Sequence, residues 1–204
     1  MNGASEARAL QVAVYAGCAS LLLALIAYNF IDIDIWHQMG LIRASLAAGH
    51  LLTDDPFAYV PTLHPMIDHE WGAGVLAFFL AKWMGGAGIL LLKFTAALGA
   101  LFLAMGLAQR RGASAAVLGF LAPLSIGLLY LGFLPAVRAH AYSFLFIACL
   151  LWALEADRRG GHRWLWAWLA VFPLWVNLHA GFALGLVLSA LFLAGEWIER
   201  TVGT

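Results

Sequence analysis

Long apolar runs separated by short polar clusters dominate this chain. Residues 10–31 carry no acidic or basic side chain, and about 20 helical residues suffice to cross a hydrocarbon core about 30 Å thick. Comparable runs at 88–109, 113–134, 137–154, 163–178 and 181–198 predict five more transmembrane helices, with Pro123 as a kink in the third span. The last three runs are short or tightly connected. Between the first two spans lies a polar segment, 32–86, with its own periodicity. Ile35, Met39, Ile42 and Leu46 recur at helical spacing and predict an amphipathic helix over 35–48, ended by Gly49. Asp68 is a candidate N-cap for a second helix over 69–84, with Glu70 in its first turn and Gly85-Gly86 at its end. That helix is too short to span comfortably, and counting it as a span would invert every later loop. Both helices are expected to lie in the interface. The fold class is therefore an all-α membrane protein, one domain of about six transmembrane helices, with two interfacial helices in a long first outer loop.

Composition agrees with this pattern. Of 204 residues, 64% are hydrophobic and 11% charged, against about 25% charged in an ordinary soluble domain. So short a soluble chain could not hide that apolar surface. Eleven basic residues balance eleven acidic ones, which gives no reason to expect a nucleic-acid partner. Cys18 and Cys149 lie inside apolar runs, without metal-ligand or disulfide-framework spacing. Ala16-Gly17-Cys18 echoes a lipoprotein cleavage site, but here most of the apolar stretch follows the cysteine, so the first run reads as an uncleaved anchor.

The basic residues set orientation. With the N-terminus cytoplasmic, Arg8, Arg110, Arg111, Arg158, Arg159, Arg163 and Arg200 face inward, and Arg43, Lys82, Lys93 and Arg138 outward. The segment 32–86 is then outside. It holds Asp32, Asp34, Asp54, Asp55, Asp68 and Glu70 against two basic residues. His37, His50, His64, His69, His140 and His179 share that side, and only His162 is cytoplasmic. Arg138-Ala139-His140 and Asn177-Leu178-His179 join them at the outer ends of later helices. Ionisable groups from distant stretches thus converge on one membrane face, which mere anchoring does not require.

Each group also has an ordinary structural reading. Asp54-Asp55-Pro56 is common turn chemistry, and Arg138 and Lys93 can snorkel to the interface. Trp164, Trp166 and Trp168 beside Arg163 form an aromatic belt. Asp32 and Asp34 stand apart because they sit at the water–lipid boundary directly after a span. His37 is one helical turn from Asp34 and could share its site.

The stretches Asp32-Ile-Asp34-Ile-Trp36-His37, Thr53-Asp54-Asp55-Pro56-Phe57-Ala58-Tyr59, His69-Glu70-Trp71 and Asn177-Leu178-His179-Ala180-Gly181-Phe182 resemble polytopic bacterial membrane proteins of the GT-C superfamily. These lipid-dependent glycosyltransferases include protein mannosyltransferases, aminoarabinose transferases and oligosaccharyltransferases. The resemblance covers the N-terminal half of a typical member, so the chain is expected to be a fragment of a longer protein or a minimal module, and activity of this half alone is left open. It implies location in the cytoplasmic (inner) membrane and a sugar donor carried on polyprenyl phosphate. The acceptor, of unspecified identity, is met at the outer face. Asp34 falls at the position of the family's catalytic carboxylate, with Asp32 beside it, and Lys93 falls where relatives often carry Arg. His37, His69, Glu70, Lys93, Arg138, His140, Asn177 and His179 are the expected substrate-binding set.

Inverting transfer needs a base for the acceptor and positive charge for the departing lipid phosphate. A carboxylate at the boundary can be the base, and Arg138, Lys93 or a histidine can face the phosphate. Asp32 and Asp34 could instead hold Mg²⁺ or Mn²⁺, and superfamily members differ on metal use. Two other readings are open: a transporter component, since boundary carboxylates with histidines also mark ion pathways, and a non-catalytic interaction module. No span carries an acidic residue at mid-membrane, which disfavours the first.

Overall fold

The computed structural model describes residues 3–27, 30–132 and 136–202. These residues are 78% helical. Eight helices and a two-strand clip follow in order: α1 (Gly3–Ile26), β1 (Phe30–Ile31), α2 (Ile33–Ala48), α3 (Trp71–Met84), α4 (Gly86–Arg110), α5 (Ala115–Gly132), β2 (Ala136–Val137), α6 (His140–Arg158), α7 (Trp164–Leu178) and α8 (Phe182–Val202). Four of them, α1, α4, α6 and α8, are long and apolar enough to cross a membrane. The chain is an all-α membrane protein. Large apolar side chains such as Leu128, Trp166 and Leu193 lie on its outside, where a soluble protein would not gather them. The other expected spans, α5 and α7, have 18 and 15 residues.

Polar contacts at the helix ends fix the directions. Gln11 Nε2 and the Tyr15 hydroxyl both donate to Gln109 Oε1, at 3.0 and 2.9 Å, so the start of α1 lies beside the end of α4. Arg111 reaches Glu155 near the end of α6, and Trp164 at the start of α7 donates to Asp157. Arg158 meets Glu199 near the end of α8. Helices α1, α4, α5, α6, α7 and α8 therefore alternate in direction between two ends.

Two apolar clusters hold the bundle. Cys18, Leu22 and Ile26 of α1 pack with Met105 of α4 and with Leu118, Ala122 and Ile126 of α5. Nearer the opposite end, Ile35 and Met39 of α2 pack with Ala73 and Ala77 of α3, Phe146 of α6 and Trp175 of α7. The expected apolar face of α2 is buried at Ile35, Met39 and Ile42, whereas Leu46 is exposed. Gly49 caps α2 as anticipated, at φ 77° with its N–H on Ser45 O, in left-handed backbone that glycine adopts without steric cost.

Several boundaries differ from the hydropathy pattern. The first helix ends at Ile26 instead of 31, because Phe30 and Ile31 leave it to pair in parallel with Ala136 and Val137. The same clip delays α6 to His140. Residues 133 and 134 of the third expected span lie outside the described residues. Asp68 is not the N-cap of α3: that position is Glu70, which makes no side-chain cap bond. Asp68 Oδ1 instead accepts the Glu70 N–H, at 3.0 Å, an Asx turn just before the helix.

Candidate functional site

The strand clip builds the first part of the site. Because Ile31 pairs with Val137 in register, the residues that follow, Asp32 and Arg138, emerge side by side. Asp32 Oδ2 accepts from Arg138 Nε at 2.6 Å, and Oδ1 caps α2 by accepting the Asp34 N–H at 3.1 Å. Burial alone would raise the Asp32 carboxyl, but the Asp34 N–H and the Arg138 guanidinium outweigh it and hold it below the usual carboxylate range. Asp32 is thus a buried anchor that accepts one hydrogen bond on each oxygen, and the Asp34 side chain lies beside its carboxylate. The described residues contain no group of three His, Cys, Asp or Glu side chains that could hold a metal ion.

Two residues further, in the first turn of α2, Asp34 is exposed and lines a cleft of about 470 Å³. Its other walls come from Glu70 before α3, from Arg138 just before α6, from His140, Ser143, Phe144 and Ile147 in the first half of α6, from His179 and Gly181 between α7 and α8, and from Leu184 of α8. Glu70 is oriented by Gln38, whose Nε2 donates to Oε2 at 2.6 Å. The other oxygen, Oε1, lies 3.7 Å from His179 Nε2 and 3.8 Å from His69 Nε2. The His140 and His179 rings stand 6.2 Å apart.

Five of the ten expected residues, Asp34, Glu70, Arg138, His140 and His179, meet in this cleft, and His69 borders it through Glu70. The rest do not. His37 turns to Asp55 Oδ2 at 3.0 Å, with its ring edge on Phe57, because residues 55–57 fold back over α2. Lys93 is buried at 3% exposure and is not part of the cleft lining. Asn177 Oδ1 accepts from Trp71 Nε1 at 2.6 Å and its Nδ2 donates to Pro173 O, so it ties α3 to α7.

Sequence reasoning passed over Gln38, Ser143 and Trp175. Trp175 precedes His179 by four residues and Ser143 follows His140 by three, spacings that place such pairs on one helix face. Trp175 Nε1 donates to Ser143 Oγ at 2.8 Å, and Ser143 Oγ lies 2.7 Å from His179 Nδ1.

A second space adjoins the cleft. It is apolar, about 390 Å³, and runs between α1, α4, α5 and α6 past Leu101, Met105, Leu118 and Ile126. Phe144 and Ile147 line both spaces. No protein-family model matches this chain, and no curated protein and no solved structure matches it.

Proposed function

We propose that the chain is a membrane glycosyltransferase of GT-C type, or the N-terminal module of one, moving a sugar from a polyprenyl-phosphate carrier to an acceptor at the outer face of the cytoplasmic membrane. The observation that supports this reading is that the two spaces lie side by side and share Phe144 and Ile147 in their linings. A charged cleft beside an apolar groove suits a molecule with an anionic head and a long hydrocarbon tail. On this reading α1, α4, α5, α6, α7 and α8 are six spans, α2 and α3 lie along the outer interface, and the N-terminus is cytoplasmic.

Asp34 is the base. It takes the proton of the acceptor hydroxyl as that oxygen attacks the anomeric carbon. The bond from that carbon to the phosphate oxygen breaks, and its electron pair leaves with the lipid phosphate. Arg138 faces the charge that develops there. The experiment is sugar transfer from a short polyprenyl-phosphoryl sugar in membranes expressing the whole gene product. Asp34→Asn should abolish transfer while protein level and insertion hold. Near-normal transfer in that variant would remove Asp34 as the base.

A further inference from the structure

We propose that Glu70 and His179 form a hydroxyl-recognition pair in the cleft, and that Ser143 and Trp175 are positioning residues that fix which proton His179 carries. The ligand hydroxyl belongs to the transferred sugar, so this deepens the glycosyltransferase reading and rests on it.

The argument starts from donors. The Gly181 N–H lies 2.9 Å from His179 Nδ1, and a backbone N–H can only donate, so Nδ1 must be an unprotonated acceptor. The Trp175 indole N–H also can only donate, and it occupies a lone pair of Ser143 Oγ at 2.8 Å. The Ser143 proton is then turned to His179 Nδ1, 2.7 Å away. Two donors on Nδ1 leave the proton of the neutral ring on Nε2, which faces Glu70. Trp175 is fully buried and stacks on Phe146 at 5.4 Å, so the chain of donors begins at a fixed point. Gly181 makes the approach possible: a Cβ there would stand 2.7 Å from His179 Nδ1 and closer still to Ser143 Oγ.

At 3.7 Å the gap from His179 Nε2 to Glu70 Oε1 is too long for a direct hydrogen bond. An oxygen about 2.8 Å from each would bridge it. That atom must accept from Nε2–H and donate to the carboxylate, which a hydroxyl does and a phosphate oxygen does not. Gln38 holds the other carboxylate oxygen at 2.6 Å, so Oε1 is the oxygen presented. The groups facing His179 are Glu70 and His69 ahead of α3, His140 and Ser143 on α6, and Asp34 and Arg138 across the cleft. Burial, more than the neighbouring His69, lowers the His179 pKa, while Glu70 opposes that shift.

The test is nitrogen-15 histidine NMR on the full chain in nanodiscs, with His179→Asn to assign the signal. At neutral pH His179 should show a bare Nδ1 and a protonated Nε2. Ser143→Ala should shift the tautomer ratio by about fivefold toward Nδ1–H, the contribution of one ordinary hydrogen bond, and Ser143→Thr should restore it. A resting Nδ1–H form, or a Ser143→Ala spectrum like that of the wild type, overturns the positioning role. Farnesyl-phosphoryl glucose should then move the Nε2 signal, farnesyl phosphate should not, and Glu70→Ala should abolish the response. Equal responses to both lipids, or a response that survives Glu70→Ala, overturn the hydroxyl pair and leave the donor reading in place. Silence to both lipids overturns the pair and the donor reading together.

Discussion

The two ends of the bundle use the same residue types to opposite effect. At the end that gathers Arg110, Arg111, Arg158 and Arg159, Glu155 is buried and saturated: Arg111 holds one oxygen at 2.7 Å and Arg159 the other at 2.7 Å. Arg159 also donates to Arg110 O, and the Arg110 guanidinium lies 4.1 Å over the Trp152 ring. That carboxylate has no lone pair left for a ligand. At the cleft end, Asp34 lies open and Glu70 turns one oxygen toward two imidazoles at non-bonding distance. Asp32, only two residues from Asp34, is intermediate: buried, with one hydrogen bond accepted by each oxygen. The two ends therefore differ in how fully a carboxylate is engaged: Glu155 is closed off by two guanidinium groups, whereas Asp34 and Glu70 line an open cleft.

The sharpest way to break this contrast is to neutralise one carboxylate at each end. Asp34→Asn should lower sugar transfer by about 10²–10⁴-fold, the usual cost of losing a general base, with unchanged thermal stability. Glu155→Gln should do the reverse: transfer per folded molecule persists, while the melting temperature in detergent falls because Arg111 and Arg159 lose their shared partner. If the two variants trade phenotypes, the division between the ends is wrong.

Acid tests the cleft end next. The depressed His179 pKa keeps the ring neutral below the ordinary value of 6.5. As pH falls through the folded pKa the ring takes a second proton, Nδ1 can no longer accept from Ser143 and Gly181, and transfer should drop on that limb. A profile flat well below that point would remove the neutral imidazole from the account. Asp32 also has a lowered pKa, from an ordinary 3.8. Its contribution to stability is present above that value and lost only as pH falls through the lower folded one.

Smaller effects test the anchor and the loop. Asp32→Ala removes the α2 cap, worth about 1 kcal/mol, and an ion pair worth less than about 1 kcal/mol because Arg138 is half exposed. Urea titration should show that loss, and Asp32→Asn, which still caps, should lose less. Asp54→Asn should change stability by no more than about 0.5 kcal/mol, since Asp54 and its partner His64 are both well exposed. A collapse of transfer in Asp54→Asn would mean that the loop takes part in the chemistry.

Much of the fold was legible because lipid imposes simple rules. Helix length and apolar content located α4 to within two residues at its start and one at its end, and Gly49 announced its own turn. The clip of Phe30–Ile31 with Ala136–Val137 was not legible, since two residues of strand carry no periodicity and their partners lie about a hundred residues apart. That omission hid the pairing of Asp32 with Arg138, and with it the reason the two aspartates differ. His37 misled for a related cause: one helical turn from Asp34 is close along the chain, but its partner, Asp55, comes from a loop whose path no spacing records. Ser143 and Trp175 look like ordinary residues of apolar helices, and only their convergence on His179 gives them meaning.

The central claim, that cleft and groove together hold one lipid-linked donor, is most directly tested by photo-crosslinking. A polyprenyl phosphate with a diazirine in its tail would be irradiated with the full chain in nanodiscs, and the adducts mapped by mass spectrometry. The account predicts adducts concentrated on α4, α5 and α6 around Leu101, Leu118 and Ile147, reduced by Arg138→Gln and absent with a tail that lacks the phosphate. Adducts spread over the outward face of α8, at the same level with or without the phosphate, would contradict it.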